Sequence, residues 1–150
     1  MKVVIQRVSS ASVSVDNKII GTCNYGLLIL AGIEELDNEE DASWLSAKIV
    51  NLRIFNDAEG KMNLSLKDVN GEMLVVSQFT LHASTKKGNR PSYMLAAHPE
   101  KALPLFNTFV EMLKMESGKH VATGEFGTHM EVSLINDGPV TIIIDTKNKE

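Results

Sequence analysis

The chain has 150 residues, of which 43% are hydrophobic and 23% charged, and its formal net charge at pH 7 is −4. These values are typical of one globular domain, residues 1–150, and exclude a disordered chain. The acidic balance disfavours a protein that holds long duplex DNA through its phosphates. The single cysteine, Cys23, excludes an internal disulfide framework, and the four histidines lack the spacing of zinc ligands, so no metal is expected.

The first residues carry one lysine and turn polar too soon for a signal peptide. No apolar run approaches the ~20 residues that are needed to cross a bilayer. We therefore expect a cytoplasmic protein without a membrane partner.

The N-terminal third predicts strands. Alternating apolar and polar residues indicate strands at 2–8 and 11–15, and the turn residues at 16–18 predict a hairpin with a return strand at 19–23. Residues 26–33 form an uninterrupted apolar run, which is typical of a strand buried on both faces.

Two helices are predicted from their terminal residues. Asn38 followed by three acidic residues is an N-cap with favourable charges in the first turn, and this helix should run to about Leu52. Pro99 can start the second helix, and Gly118 can end it after Ser117.

Short strands are expected at 53–55 and 61–66, a second buried strand at 73–76, and three closing strands at 119–123, 129–135 and 140–145. Strands and helices do not alternate as in a doubly wound sheet. The order predicts an α+β fold in which the strands curl over two helices.

The apolar run 73–76 passes directly into polar side chains. If the strand continues, Gln78, Thr80 and His82 share one face, and Ser77 and Phe79 lie on the other. This row is either a candidate active site or a strand end that hydrogen-bonds to neighbouring loops.

Two other segments carry candidate chemistry. The loop 83–93 contains Lys86, Lys87 and Arg90, which form either a phosphate contact or a solvated basic loop. The segment 136–141 contains Gly138-Pro139, which is either a plain turn or, if its peptide bond is cis, a pair of carbonyls suited to a substrate ammonium group. The sequence leaves both alternatives open.

Together these segments resemble one family. Residues 77–81 read SQFTL and residues 136–141 read NDGPVT, which are similar to the SQFTL and NxGPxT motifs of the D-aminoacyl-tRNA deacylases. The resemblance extends to residues 4–8, 88–92 and 123–127, and it covers essentially the whole chain. It implies a mixed, strongly curved, barrel-like sheet with two main helices.

The resemblance also implies a function. The enzyme would hydrolyse the ester between a D-amino acid and the terminal ribose of its tRNA, as a homodimer with active sites at the subunit interface. A cis Gly138-Pro139 bond would reach into the partner's pocket and exclude L-amino acids through backbone contacts. Arg7 would either brace this loop or be a plain surface arginine. Glycine, including glycine mischarged on tRNA(Ala), would be accepted, since it has no side chain to reject.

The chemistry of ester hydrolysis suggests further roles within the site. Ser77 and Gln78 would orient the substrate, and backbone N–H groups near Phe79 and Thr80 would bind the oxyanion. The remaining substrate-binding candidates are Thr141, Phe126 and Met130. Phe126 and Met130 would either line the pocket for the adenine or the side chain, or belong to the core. No cofactor is required.

The sequence leaves open both the role of Thr80 in the mechanism and the class of reaction. Thr80 acts either as a nucleophile, which needs an activating base, or as a group that positions the substrate while water attacks with help from the ribose 2′-hydroxyl. The chain is otherwise a hydrolase of another small ester or amide, or a dimeric module that binds RNA ends without catalysis.

Overall fold

The computed structural model describes all 150 residues. The strands and helices, in chain order, are β1 (Lys2–Val15), β2 (Lys18–Cys23), β3 (Gly26–Gly32), α1 (Glu39–Asn51), β4 (Phe55–Asn56), β5 (Met62–Leu64), β6 (Glu72–Ser77), α2 (Pro99–Ser117), β7 (Val121–Thr123) and β8 (Glu131–Asp145). A short 3-10 helix, Phe79–His82, follows β6.

One sheet contains six of the strands, in the order β2-β1-β3-β6-β7, with β8 on the other edge of β1. The pairs β3–β6 and β6–β7 are parallel and the remaining pairs are antiparallel, so the sheet is mixed. Strand β1 pairs first with β3 and later with β2 along one edge, which requires it to curve. The expectation of a mixed α+β fold with a strongly curved sheet and two main helices is confirmed.

Gly21 shows how nearly the sheet closes into a barrel. It lies on β2 so close to β7 that a Cβ atom at this position would be 2.6 Å from the carbonyl oxygen of Thr123. Only glycine permits this approach without a backbone shift.

The curved sheet has a hydrophobic core on each face. Along β3 and β6, alternate residues such as Ile29 and Val75 face the two helices, and their neighbours Leu28 and Leu74 face the barrel interior. Cys23 belongs to the interior cluster. The strands are therefore buried on both faces, as their uninterrupted apolar runs predict.

The predicted helix ends are confirmed. The Asn38 side chain accepts hydrogen bonds from the N–H groups of Glu40 (2.9 Å) and Asp41 (3.3 Å), and Asp41 accepts one from the Asn38 N–H (3.0 Å). Pro99 opens α2, and Gly118 ends it with a φ of 68°. Local residue types determine these ends, which is why they can be predicted.

A buried ion pair joins the chain start to the segment before α1. The Met1 ammonium donates to Asp37 and to the Thr146 hydroxyl, and both members of the Met1–Asp37 pair are fully buried. Lys147 pairs with Asp41 nearby, at 2.7 Å. Burial raises the pKa of Asp41, but hydrogen bonds from Lys147 and Thr146 outweigh it, and the net pKa is about 2.

Three strand predictions are corrected. Residues 2–8 and 11–15 form the single strand β1, and residues 129–135 and 140–145 form the single strand β8. At the polar residues between the two apolar runs, the β1–β8 pairing shifts its register and then continues. These polar residues therefore form irregularities within each strand and do not end it. The strand through Ser77 also stops there, because residues 79–82 turn into a 3-10 helix.

Candidate active site

A cavity of about 560 Å³ opens where β3 and β6 end and α2 begins. Ser77, Gln78 and Phe79 form one wall, and Phe126 and Met130 lie in the segment that borders another part of it. The structure thus brings five of the predicted site residues to one cavity. A larger groove of about 800 Å³ lies between β2, β7 and α2, but among the predicted residues only Phe126 lines it.

The wall of the cavity is built by the turn after β6. The Gln78 N–H donates to the Ala31 carbonyl at 2.8 Å, which extends the parallel β3–β6 pairing by one hydrogen bond. The chain then forms a 3-10 turn, in which the Leu81 N–H donates to the Gln78 carbonyl at 3.3 Å. Phe79 and Thr80, as the first residues of this turn, have no intrahelical acceptor for their N–H groups. The turn itself therefore supplies no acceptor for these two N–H groups.

Thr80 is held by its neighbour. The Gln78 side-chain amide donates to the Thr80 hydroxyl at 2.5 Å, and Thr80 itself does not line the cavity. The expectation that Gln78, Thr80 and His82 share a strand face is wrong, because side chains in a 3-10 turn are spaced by about 120° and not by 180°. The pattern missed this turn since it contains neither glycine nor proline.

His82 offers no activation of the Thr80 hydroxyl. Its ring is buried, with Nδ1 at 3.8 Å from a Glu34 carboxylate oxygen and Nε2 without any partner. Cys23 is no better as a nucleophile, because burial and the Glu72 charge raise its pKa to about 11. The arrangement does not resemble a nucleophile–histidine–acid triad.

Aromatic rings border the cavity. The Phe79 ring is 57% exposed and packs edge-on against Tyr93, with centroids 5.1 Å apart. Phe126 lies near Phe106 at the start of the opposite wall, with centroids 5.9 Å apart. Tyr93 was not predicted as a site residue; it directly follows the RPS segment of the loop, which is the one available signal.

The predicted substrate-binding loop forms a second cluster, away from the cavity. Gln6 pairs with Thr141 and Val8 pairs with Asn136, so the four residues 137–140 bulge out opposite the single residue Arg7. The Gly138–Pro139 peptide bond within this bulge is cis, as the resemblance implies. None of Arg7, Gly138, Pro139 and Thr141 lines the cavity of the same chain.

The buried side chain of Arg7 binds this bulge through hydrogen bonds and an ion pair. Its guanidinium is buried and donates to the carbonyls of Asp137 (2.9 Å) and Ile54 (2.7 Å), and its Nε is 3.1 Å from the Asp137 carboxylate. Arg7 therefore joins β1, the segment before β4 and the bulge. The alternative of a surface arginine is wrong.

Side-chain amides close the bulge from within. The Asn136 side chain accepts from the Val140 N–H at 2.9 Å and donates to the Thr141 hydroxyl at 3.0 Å. Gln6 also donates to that hydroxyl, at 3.3 Å. Asn136 and Gln6 are structural members of the loop that the sequence did not single out as site residues.

Residues near the start of α2 were also missed. His98, Pro99 and Ala102 line the cavity, as does His129 on the opposite side. No group of three or more metal-ligating side chains is present. No helix is both long enough and apolar enough to span a membrane.

The chain matches known proteins along its whole length. The family model described as D-Tyr-tRNA(Tyr) deacylase matches residues 4–145. Proteins named D-aminoacyl-tRNA deacylase from Flavobacterium psychrophilum and Bacteroides fragilis (strain YCH46) are 67% and 60% identical over 150 residues, which cover 100% of both chains in each comparison. The chain belongs to the D-aminoacyl-tRNA deacylase family.

Solved structures share the fold of this chain. A structure named "c-Myc DNA Unwinding Element Binding Protein" is 40% identical, with a TM-score of 0.90 over 97% of this chain and 98% of the other. A probable eukaryotic D-amino acid tRNA deacylase has the same fold, with 17% identity and a TM-score of 0.81 over 95% and 97%. The predictions of the deacylase family and of a hydrolase of that class are confirmed.

The two segments that resemble the deacylase motifs lie in different parts of this structure. SQFTL forms the cavity wall and the 3-10 turn, whereas the Gly-Pro segment projects from the β1–β8 pair outside that cavity. The two motifs of one chain do not build one site.

Proposed function

We propose that this single-domain protein hydrolyses, in the cytoplasm, the ester bond between a D-amino acid and the terminal ribose of its tRNA, and so removes D-amino acids before translation uses them. The observation that carries this proposal is the turn at Phe79 and Thr80. It places the Phe79 N–H, which has no intrahelical acceptor, at the wall of a cavity large enough for an aminoacyl-adenosine end, and the Thr80 N–H, which also has none, follows directly behind that wall. Family membership supports the choice of substrate.

The chemistry follows from these donors. The ester carbonyl oxygen would accept hydrogen bonds from the Phe79 and Thr80 N–H groups, and these bonds would strengthen as negative charge develops on the oxygen. A water would attack the carbonyl carbon, assisted by the 2′-hydroxyl of the ribose, and the 3′-oxygen would leave with a proton. Ser77 and Gln78 would orient the substrate, and Phe126 and Met130 would contact the adenine or the side chain.

The proposal includes a homodimer. Strand β8 pairs only with β1, so its other edge over 15 residues is free, and it carries the exposed side chains Ile135 and Ile143. A long, unpaired edge with exposed apolar residues favours association with another copy. Such a dimer would supply the Gly138-Pro139 segment of one subunit to the cavity of the other.

The Gly-Pro segment would then act as a filter for handedness. Backbone carbonyls at Gly138 and Pro139 would hold the substrate's α-amino group, and an L-side chain would meet main-chain atoms and be excluded. Main-chain contacts read configuration and not side-chain identity. Glycyl-tRNA(Ala), without a side chain, would therefore also be cleaved.

The first test compares D- and L-tyrosyl-tRNA as substrates of the purified protein, without added metal, with glycyl-tRNA(Ala) beside them. We expect rapid release from the D-ester and the glycyl ester and none from the L-ester. Equal cleavage of both tyrosyl esters would contradict the filter. Binding without turnover would identify an RNA-end module, and equal cleavage of simple D-amino-acid esters would identify a broader hydrolase.

Thr80→Ala tests the mechanism. Because no base contacts the Thr80 hydroxyl, we expect kcat for D-tyrosyl-tRNA to fall by no more than about 10-fold, whereas loss of a true nucleophile costs on the order of 10⁴-fold or more. Single-turnover kinetics measure the difference. Thr80→Ser keeps the acceptor for the Gln78 amide and should remain close to wild type. A near-total loss in Thr80→Ala, restored by Thr80→Ser, would instead support an acyl-enzyme.

A further inference from the structure

A basic hairpin that the proposed chemistry does not use begins shortly after Phe79 and ends just before Tyr93, and both of these residues line the cavity. The Ser84 N–H donates to the Ser92 carbonyl at 2.8 Å, and the Ser92 N–H donates to the Ser84 carbonyl at 2.9 Å, which closes residues 84–92 into a hairpin. We call this segment the basic hairpin. Its tip, Gly88, has a φ of 65° and open space around it.

Both ends of the basic hairpin are attached to the cavity wall. The 3-10 helix Phe79–His82 leads into it, and Tyr93 follows directly after Ser92. Phe79 and Tyr93 both line the cavity and pack against each other, which ties the hairpin base to the rim. A molecule whose end occupies the cavity must leave it past this aromatic pair or beside it.

The charge of the basic hairpin is unbalanced. Lys86, Lys87 and Arg90 are exposed, and none of them forms an ion pair or donates a side-chain hydrogen bond within the protein. No acidic residue occurs between Glu72 and Glu100, although the whole chain has a net charge of −4. The chain segment that forms the hairpin and both its attachments to the cavity wall thus carries three unpaired cations and no acidic residue.

We propose that the basic hairpin contacts the phosphates of the single-stranded 3′ end of tRNA while the terminal aminoacyl-adenosine occupies the cavity. This inference rests on the proposed function and deepens it. A single-stranded RNA end carries one phosphate per nucleotide, and lysine and arginine side chains bind these phosphates without reading sequence. The contact accounts for the binding of a polyanion by a protein of net negative charge, because only the local field at the rim matters.

The test uses the triple variant Lys86→Ala, Lys87→Ala and Arg90→Ala with two substrates. One is D-tyrosyl-tRNA, and the other is D-tyrosyl-adenosine, which has the same ester but no phosphate. For the tRNA substrate we expect kcat/KM to fall at least ~10-fold at low salt, and the slope of log kcat/KM against log salt to decrease by about 2. Hydrolysis of D-tyrosyl-adenosine should be unchanged.

A matched control removes the same charge elsewhere. Lys18, Lys61 and Lys67 are exposed and do not line the cavity, so their triple alanine variant should leave both substrates unaffected. Equal losses on both substrates in the hairpin variant would overturn the proposal, since the hairpin would then act only through the shape of the cavity. Loss of tRNA hydrolysis in both triple variants would overturn it as well, because net charge would be the cause.

A binding measurement separates this proposal from the proposed function. Fluorescence anisotropy with a labelled single-stranded RNA ending in CCA needs no turnover. The wild type should bind it with an affinity that decreases with salt, and the hairpin variant should bind at least ~10-fold more weakly. If the wild type hydrolyses neither ester but this difference persists, only the proposed function fails; equal affinities would overturn the hairpin contact.

Discussion

Replacing Arg7 by alanine is expected to lower the free energy of unfolding by about 2–4 kcal/mol, because each buried carbonyl left without a donor costs about 1–3 kcal/mol. It should also lower kcat/KM for D-tyrosyl-tRNA on the order of 100-fold. Asp137 loses its hydrogen bond from Arg7, so the Gly-Pro segment can shift. A displacement of about 1 Å in a group that positions the substrate can reduce the rate about 100-fold. Urea denaturation and steady-state kinetics at a temperature where the variant is folded measure the two effects.

Two further variants separate positioning from stability. Arg7→Lys keeps the charge but cannot satisfy the acceptors at Asp137 and Ile54 together, so it should recover part of the stability and little of the activity. Arg53→Ala removes an exposed arginine that bonds to Asn63, and it should change the stability by less than about 0.5 kcal/mol. Full activity in folded Arg7→Ala would refute the role of Arg7 in positioning the Gly-Pro segment.

A mixing experiment tests where that segment acts. Arg7→Ala subunits have a defective bulge and an intact cavity, and Ala96→Trp subunits have a filled cavity and an intact bulge. If the bulge serves the partner's cavity, each mixed dimer contains one intact site, and random exchange of subunits should restore about a quarter of the wild-type activity. Mixtures that stay inactive despite subunit exchange would exclude this arrangement.

Replacing Asp37 by asparagine is also expected to lower the stability of the fold by a large amount. The variant leaves the fully buried Met1 ammonium without its counter-charge, and removal of one partner from a buried ion pair costs about 3–5 kcal/mol. For a chain of this size, that loss corresponds to a decrease in Tm of roughly 6–20 °C. Differential scanning calorimetry of protein that begins at Met1 measures it, and residual activity at 20 °C should be close to wild type because Asp37 does not line the cavity.

The matched control for Asp37 is Glu59→Gln. Glu59 forms an ion pair with Lys61 in which both side chains are about three-quarters exposed, so its loss should change the stability by less than about 1 kcal/mol. A residue added before Met1 should destabilise the protein by the same route as Asp37→Asn, because it moves the ammonium away from Asp37. If Asp37→Asn lowers the free energy of unfolding by less than about 1 kcal/mol, the Met1–Asp37 ion pair makes no net contribution to stability.

Features that depend on neighbouring residues could be predicted from the sequence, and features that depend on distant residues could not. The ends of α1 and α2 could be predicted, because Asn38, Pro99 and Gly118 act within one helical turn. The cavity wall could be predicted only in part. The polar residues after Val76 mark the site, but the 3-10 turn depends on where the ladder with β3 ends at Ala31.

The bulge at Asp137–Val140 illustrates what a local pattern cannot show. As an isolated segment it is typical of a turn between two strands, and the structure instead keeps one strand, because β1 pairs with both sides of the bulge. Arg7 and Asp137 are 130 residues apart, and their contact exists only because β1 and β8 are neighbours.

The fold class, the helix ends, the two motif segments and the deacylase family can be inferred from the amino-acid sequence, since each of these depends on residue types within a short span or on their order along the chain. Only the three-dimensional structure shows that residues 77–79 line a cavity and that the Gly-Pro segment lies outside it. It also shows that the hairpin carrying Lys86, Lys87 and Arg90 begins and ends beside the cavity wall, because the Ser84–Ser92 bridge and the Phe79–Tyr93 contact close the loop there.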